Sequence, residues 1–471
     1  MRAIFLCLKF PMSENDFSKL KLPAEQLAVL DSLGYKQMTA VQAQSLPLIL
    51  QGKDLIAQAK TGSGKTAAFG LGLLQTIKPD FFAVQALIIC PTRELADQVG
   101  KELRRLGRSI PNLKLVMLCG GKPLGPQIAS LEYGAHIVVG TPGRIQDHLK
   151  KSTLKLNKVK TVVLDEADRM LDMGFVDAMQ DIIGQTPSSR QTLLFSATFP
   201  DSIKQISRSI QRDPARVTVE SQHQQAVIEQ LFYEIKKHER NSSLLMLFQH
   251  YQPKNAIVFC HTKKQCDEVA EWLRNHKIDA QPIHGDLEQR ERDQVLVRFA
   301  NQSCPVLVAT DVAARGLDIK AIEMVINYEL PRDPEVYVHR IGRTGRAGES
   351  GLAMSLVAEA EVPRMLAIEK YQKKPCRCDV PASLDRDDSY TLEANMVTIQ
   401  LDAGRKNTLR PGDILGALTG DAGLDGADIG KIDIFDMSSY VAVSKSALRQ
   451  AMNYLADGKI KGRTIRARKI R

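Results

Sequence analysis

Short apolar runs that alternate with helical patterns, twice in succession, constrain the fold of this chain most strongly. The first series of runs lies at residues 55–57, 86–89, 115–117, 137–139, 162–164 and 192–195. A second series follows at 256–259, 280–283, 306–309, 324–326 and 351–356. Strands that alternate with helices pair in parallel and carry the helices on both faces of the sheet. The sequence therefore predicts two α/β domains in tandem.

Length and composition changes divide the chain further. A chain of 471 residues exceeds the size of one hydrophobic core and suggests two or three domains. A polar, glutamine-rich stretch at 221–229 is typical of a hinge, and prolines and charges at 373–389 are typical of a linker. We therefore predict an N-terminal extension (1–16), two α/β domains (17–220 and 221–372), a linker (373–394) and a third domain (395–471).

The third domain has a strand and helix order of its own. Strands are predicted at 396–401, 431–435, 440–443 and 464–470, with helices at 411–419 and 445–456. This β-α-β-β-α-β order indicates an RRM-like, ferredoxin-type α+β fold. Such domains stack bases on aromatic side chains of the central strands, where this chain offers only Phe435 and Tyr440. Base stacking on the sheet is therefore not expected.

Charge and cysteine content restrict the partners and the compartment. The formal net charge of +10 favours a polyanion, since cations that bind phosphates release counterions. The eight cysteines form no paired CxxC elements, which excludes a typical zinc or disulfide framework and is consistent with a reducing cytoplasm. The apolar N-terminal run is too short to span a membrane, so we expect no membrane partner and no targeting signal.

The C-terminal end concentrates positive charge in a run that contains two glycines. One interpretation is a basic loop that lies close to RNA phosphates, and the other is a solvated face that only favours solubility. The cations in question are Lys459, Lys461, Arg463, Arg466, Arg468, Lys469 and Arg471.

A glycine-rich run at 59–66 follows the first predicted strand and opens a helix. Successive backbone N–H groups in such a loop wrap a phosphate at a helix N-terminus. Lys65 would reach the β- and γ-phosphates, and the Thr66 hydroxyl would help to hold Mg²⁺. The residues predicted to cradle the nucleotide are Thr61, Gly62, Ser63, Gly64, Lys65 and Thr66.

An acidic run follows the apolar strand at 162–164. Asp165 would face the same Mg²⁺, and Glu166 would orient and deprotonate the attacking water. Taken alone, a glycine-rich turn and an acidic turn are ordinary loop chemistry. Together, with the flanking strands, they predict a nucleoside triphosphatase.

The ordered motifs over residues 17 to about 360 resemble those of the DEAD-box RNA helicases, and the tail resembles that of the bacterial DbpA-type members. The resemblance implies two RecA-like domains, and Met38 departs from it where most members have proline. The matching segments are Phe17 with Gln42, 59–66, 91–95, 120–121, 141–144, 165–168, 196–198, 258–259, Gln289 with Arg292, 309–311, 314–318 and 339–346.

The resemblance assigns further roles at an ATP site. Gln42 would read the adenine edge, which its amide suits as both donor and acceptor. Phe17 would stack on the ring, or alternatively only pack the first helix. Asp318 would accept from the ribose. Arg343 and Arg346, three residues apart and so on one turn of a helix, would act as arginine fingers on ATP between the lobes.

His339 would couple the phosphate site to 196–198, unless it is a satisfied core histidine. The resemblance also implies an RNA track that reads the nucleic-acid backbone, which carries little sequence information. Its residues would be Thr92, Arg93, Gly121, Thr141 and Arg144 in the first lobe, with Arg292, Thr310 and Arg315 in the second.

The third domain would then supply the target. DbpA-type members use such a domain to hold a hairpin of large-subunit ribosomal RNA during assembly of the 50S particle, so we expect a monomeric helicase that acts on pre-50S particles. Two other hypotheses remain open: an ATP-gated RNA clamp and a DNA-acting translocase with the same core. The RNA-type acidic box at 165–168 with 196–198 favours RNA.

Overall fold

The computed structural model describes residues 16–59, 62–199, 201–219, 228–314, 322–345 and 350–470. The chain divides into two compact units, Met1–His223 and Gln224–Arg471. Several predicted features lie outside the described residues. They are the residues Thr61, Arg315, Asp318, Arg346 and Arg471, the extension at 1–15 and most of the hinge. Among those described, no helix is long and apolar enough to cross a membrane.

The first unit contains one seven-stranded sheet in the order β3-β4-β2-β5-β6-β1-β7, in which all neighbouring strands run parallel. Its strands are β1 (Leu55–Gln58), β2 (Ala86–Ile89), β3 (Leu115–Leu118), β4 (Ile137–Gly140), β5 (Thr161–Asp165), β6 (Gln191–Ser196) and β7 (Ala215–Thr218). Its helices are α1 (Ala24–Ser32), α2 (Ala40–Leu50), α3 (Lys65–Leu74), α4 (Arg93–Leu106), α5 (Leu124–Glu132), α6 (Pro142–Lys150), α7 (Ala167–Asp172), α8 (Val176–Gly184) and α9 (Asp201–Ile210).

Both faces of this sheet are buried, as the continuous apolar runs predict. On one face Leu55, Ile88 and Phe195 pack with α2, α3 and α4 in one apolar cluster. On the other face Leu87 and Leu164 pack in a second cluster with α8 and α9. Because helices cover both faces, the central strands are buried and present polar side chains where they end, whereas Arg216 in the edge strand β7 is exposed.

The second unit repeats this architecture with a parallel sheet in the order β10-β11-β9-β12-β13-β8-β14. Its strands are β8 (Ile228–Ile235), β9 (Ala256–Phe259), β10 (Ala280–Ile283), β11 (Val306–Ala309), β12 (Met324–Asn327), β13 (Gly351–Ala358) and β14 (Cys378–Asp379). Its helices are α10 (Arg240–Tyr251), α11 (Lys263–Asn275), α12 (Gln289–Ala300), α13 (Asp311–Ala314), α14 (Pro334–Ile341) and α15 (Val362–Gln372).

The predicted linker is part of this second lobe. β14 pairs with β8, and Leu384, Tyr390 and Leu392 pack against the apolar core beneath β9 and α11. Prolines and charges in the sequence indicated a spacer, but the interspersed apolar residues bury their side chains on the lobe. The segment therefore extends the sheet and leads directly into the third domain.

The third domain has an antiparallel sheet in the order β16-β17-β15-β20 with two helices on one face. The predicted final strand at 464–470 is wrong in one respect, because Thr464 at its start belongs to a separate hairpin, β18–β19, and only β20 joins the main sheet. Its elements are β15 (Met396–Leu401), α16 (Pro411–Gly416), β16 (Ile429–Ile434), β17 (Ser439–Ser444), α17 (Leu448–Asp457), β18 (Lys459–Ile460), β19 (Arg463–Thr464) and β20 (Ala467–Lys469).

The two faces of this sheet have different partners within the second unit. Ile399, Val441 and Val443 pack beneath the helices. On the opposite face, Thr398 bonds to Asn301 at 2.9 Å and to Ser303 at 2.5 Å, just after α12. The third domain is thus docked on the second lobe through the face that lacks helices.

A buried ion pair stabilises the second lobe. Arg240 Nη2 on α10 lies 2.5 Å from Glu361 Oε2, and both side chains are under 10% exposed. Glu361 also accepts from the backbone N–H groups of Leu330 and Ala358, at 2.9 and 3.1 Å. One carboxylate therefore accepts from a guanidinium and from two backbone N–H groups.

We predict that Glu361→Ala destabilises the chain by about 3 kcal/mol or more, because removing one partner leaves a buried charge uncompensated. Glu359→Ala, at an exposed site in the same turn, is the control and should change stability by at most about 0.5 kcal/mol. Urea unfolding of the full chain measures both. Equal stability of the two variants would show that the ion pair contributes nothing net.

Candidate functional site

The phosphate-binding loop joins β1 to α3 at the carboxyl edge of the first sheet. Gly62 and Gly64 have φ of 83° and 93°, a left-handed conformation that favours glycine. The helix begins at Lys65, and the Lys65 ammonium donates to the Ala59 carbonyl at 3.0 Å. Free N–H groups at the start of α3 therefore face the position where a phosphate would lie.

Gln42 lies beside this loop but makes different contacts from those the adenine prediction assumes. Its Oε1 accepts from the Thr39 N–H at 2.9 Å and its Nε2 donates to the Gly64 carbonyl at 3.1 Å. A Cβ at Gly64 would approach Gln42 Nε2 to 2.5 Å. Gln42 therefore caps α2 and supports the loop in this conformation.

Phe17 is a core residue in this conformation. It is 3% exposed and meets the Tyr35 ring edge to face at 6.3 Å between centroids. This arrangement agrees with the alternative that Phe17 only packs the first helix. Stacking on a nucleotide base stays a prediction.

A buried acidic cluster follows β5 at the same edge. Asp165 is 2% exposed, and burial raises the pKa of its carboxyl to about 6, with Lys65 opposing the shift and Glu166 adding to it. Glu166 adopts φ 54°, a left-handed conformation that is strained for a side chain of its size. Burial thus disfavours the charged form of Asp165.

Two residues that the sequence analysis did not single out stabilise this cluster. Arg169 Nη1 lies 3.0 Å from Glu166 Oε2, with both side chains buried. Asp168 Oδ2 accepts from the Thr198 N–H and hydroxyl, each at 2.9 Å, and so ties the acidic run to 196–198. In the sequence, Arg169 could have been found from its position three residues after Glu166, a spacing at which side chains of a helix form ion pairs.

The donor set fits Mg²⁺. Within the described part of the chain, Asp165 Oδ1 is buried without a hydrogen-bond partner, and so is the Ser63 hydroxyl. A buried orphan carboxylate oxygen is costly unless a cation or ligand binds it, and hard oxygen donors are those that Mg²⁺ prefers. Asp165 and Thr66 are therefore suited to hold the ion.

The predicted first-lobe RNA residues all follow neighbouring strands at this same edge. Arg93 follows β2 through the Thr92 cap, Gly121 follows β3, and Thr141 caps α6 after β4 with Arg144 one turn on. Arg93 lies against Gly120, where an added Cβ would meet its guanidinium at 2.9 Å. Parallel pairing of β3, β4 and β2 brings these separate motifs together.

A bidentate ion pair joins two helices of the second lobe. Arg340 donates to both carboxylate oxygens of Asp311, at 2.6 and 2.8 Å, and so joins α14 to α13. The helix α14 ends at Ile341, so Arg343 lies beyond it and not on a helix as predicted, while Arg346 lies outside the described residues. His339 is half-buried on α14 and is not a core histidine.

The remaining second-lobe candidates occupy two elements. Arg292 lies on α12, and Thr310 follows β11 at the carboxyl edge. Arg340 was not predicted as an anchor, because its contacts join segments that are distant in sequence.

The basic run of the third domain is an exposed hairpin rather than a loop. Lys461 and Gly462 form its turn with φ of 54° and 75°. Lys461 Nζ donates to the Thr408 carbonyl at 2.9 Å and lies 3.6 Å from Asp413. The exposed cations of this hairpin and the described residues that follow it are Lys459, Lys461, Arg463, Arg466 and Lys469.

The sheet face of the third domain is closed by the second lobe. Tyr440 is 4% exposed, and Gln400 beside it bonds to Gln294 on α12 at 3.2 Å. A base could stack on Tyr440 only after the domains separate. The exposed cations therefore form an accessible positively charged surface on this domain.

A phosphate loop, a buried acidic cluster and a polar carboxyl edge on the first of two RecA-like sheets define a two-lobed, nucleotide-driven helicase. The matching family models are the DEAD/DEAH box helicase (residues 39–206), the helicase conserved C-terminal domain (236–348) and the DbpA RNA binding domain (398–469).

The chain is similar to curated relatives over most of its length. It is 55% identical to the ATP-dependent RNA helicase DbpA of Escherichia coli K12 over 97% of this chain and 99% of that protein. It is 44% identical to the helicase CshA of Bacillus subtilis 168, covering 76% of this chain and 72% of that one. Among solved structures, Saccharomyces cerevisiae Dbp5 bound to RNA and ADP BeF3 matches with a TM-score of 0.70, 31% identity and coverage of 78% and 96%.

The chain belongs to the DEAD-box family of ATP-dependent RNA helicases. Its third domain is an RNA-binding domain of the DbpA type.

We predict that Asp165→Asn abolishes ATP hydrolysis yet stabilises the unliganded chain at pH 7.5. The raised pKa means that the buried carboxylate costs about 3 kcal/mol at neutral pH, a cost that fades as the pH falls through 6 toward 4. Thermal unfolding of the two proteins between pH 5 and pH 8 tests this. The stability difference should shrink toward pH 5, and a variant less stable than the parent at pH 7.5 would refute the argument.

Proposed function

We propose that this helicase uses ATP to remodel large-subunit ribosomal RNA locally during assembly of the 50S particle, with the third domain holding the target. The observation that carries the proposal is the exposed basic hairpin on a DbpA-type domain that is docked on the second lobe. An RNA anchored there would stay at a constant position relative to that lobe.

Within the proposal, ATP is held by 61–66 and hydrolysed at the acidic cluster. Mg²⁺, held by Thr66 and Asp165, would neutralise charge on the phosphates. Glu166 would orient and deprotonate the attacking water, and the Arg169 guanidinium keeps that carboxylate in place at 3.0 Å. Lys65 would exchange the Ala59 carbonyl for a phosphate oxygen, a stronger charge-assisted contact.

The proposed RNA track of the helicase core reads backbone and not sequence. It combines turn N–H groups near Gly121 and Thr141 with the guanidinium groups of Arg93, Arg144 and Arg292, all of which suit phosphates. Sequence preference would therefore come from the third domain. The roles of Arg315, Asp318, His339, Arg343 and Arg346 remain predictions from the family resemblance, as do the monomeric state, the cytoplasmic location and the domain boundaries.

The first prediction concerns the nucleic acid that stimulates hydrolysis. A ribosomal RNA fragment with the hairpins near the peptidyl-transferase centre should stimulate steady-state ATPase activity more strongly than unrelated RNA at equal nucleotide concentration. Duplex DNA should not stimulate it. Equal stimulation by both RNAs would remove the targeting role, and stimulation by DNA would favour a translocase.

The second prediction concerns the basic hairpin. Arg463→Ala with Arg466→Ala should weaken binding of the ribosomal fragment by about tenfold or more and flatten its salt dependence, because two phosphate contacts are lost. The control, Lys445→Ala with Arg449→Ala, removes the same charge from the α17 region of the domain. Equal losses in the two double variants, measured by fluorescence anisotropy, would show a nonspecific charge effect.

A further inference from the structure

A buried glutamine on α5 joins the turn after β3 to the first turns of α6. Gln127 is 7% exposed and lies outside every motif assigned above. Its Nε2 donates to the Cys119 carbonyl at 3.0 Å, directly before Gly120 and Gly121. Its Oε1 accepts from Arg144 Nη1 at 3.1 Å. One amide thus contacts two separate parts of the proposed RNA track.

The orientation of this amide is determined by its partners. A guanidinium can only donate and a carbonyl can only accept, so the oxygen must face Arg144 and the nitrogen must face Cys119. Arg144 Nη1 also donates to the Lys122 carbonyl at 2.9 Å. The turn at 119–122 is therefore held at both ends, by Gln127 at its start and by Arg144 at its end.

A histidine completes the network from the other side. His148 is buried one helical turn after Arg144, and its Nε2 lies 3.1 Å from Gln127 Oε1. Burial lowers the pKa of His148, with Arg144 adding to the shift, so the ring is neutral at pH 7. Its Nε2–H then donates to Gln127 and its Nδ1 accepts from the Thr153 hydroxyl at 2.8 Å. Each polar atom of the Gln127 amide is occupied.

We propose that Gln127 is a positioning residue for the first-lobe RNA track, acting through Arg144 and the turn at 119–122. The inference rests on the proposed function, which places Arg144 and Gly121 on the RNA backbone. Gln127 touches no RNA itself. It holds the Arg144 guanidinium and the Gly121 N–H at one separation, so that both can meet neighbouring phosphates without first being ordered.

Preorganisation of this kind affects binding more than chemistry. Without Gln127, Arg144 has more orientations to lose on binding, and the Cys119 carbonyl loses its side-chain donor. The RNA concentration for half-maximal ATPase stimulation should therefore rise. The ATP site lies on other strands, β1 and β5, so the turnover at saturating RNA should change little.

The test uses Gln127→Met, which keeps the length of the side chain and removes both polar atoms. We expect the half-maximal concentration of an unstructured RNA to rise about five- to tenfold, while kcat at saturating RNA and the KM for ATP stay within about twofold. A general loss of folding would lower kcat and the melting temperature instead.

Gln85→Met is the matched control. Gln85 is also buried in the first lobe and bonds the backbone of Lys78 and Phe81, at the opposite end of the sheet. Its loss removes an equal number of amide contacts from the same fold. The RNA concentration for half-maximal stimulation should stay at the parent value in this variant.

A double-mutant cycle separates the inference from the function on which it rests. Arg144→Ala should raise the half-maximal RNA concentration, and adding Gln127→Met to it should raise it little further, because the two residues act as one unit. Additive losses, or a normal RNA response in Gln127→Met alone, would overturn the inference while leaving the RNA track in place. A normal response in Arg144→Ala would overturn both.

Discussion

The burial of both faces of two parallel sheets is the constraint on which the rest of the structure depends. With helices on each face, the central strands present polar and charged groups to solvent where the strands end. Parallel pairing then brings the carboxyl ends of all strands to one edge. In the first lobe this edge collects the loop before Lys65, the acidic cluster at Asp165 and the arginines of the proposed RNA track.

Groups at this edge are held by buried polar contacts that connect motifs far apart in the chain. Asp168 joins the acidic run to Thr198, Gln42 joins α2 to the Gly64 carbonyl, and Gln127 joins the turn after β3 to Arg144. Each contact is at least partly buried, and a polar partner left unpaired in such a place would be costly. The raised pKa of Asp165 means that burial of its carboxylate lowers the stability of the unliganded fold at neutral pH.

Docking on the second lobe determines which surface of the third domain remains accessible. Its sheet face, the surface on which related folds stack bases, is packed on the second lobe through Thr398 and Gln400. Polar side chains at these positions suit a protein interface better than a stacking platform. The exposed cations near Arg463 are left as the accessible charged surface. The predicted linker has a structural role as well: it packs along the second lobe and adds a strand to its sheet.

Local pattern in the sequence sufficed for the fold class, because apolar runs and helical periods are properties of neighbouring residues. The same holds for the phosphate loop and the acidic run, whose residues are contiguous around Lys65 and Asp165. Local pattern failed for the final strand, divided into a hairpin and β20, and for Arg343, which lies beyond the end of α14. The tertiary structure alone decided that Gln42 supports the loop, that Tyr440 is covered and that Gln127 bridges two motifs. Those contacts join residues distant in the chain, so they arise only when packing brings the residues together.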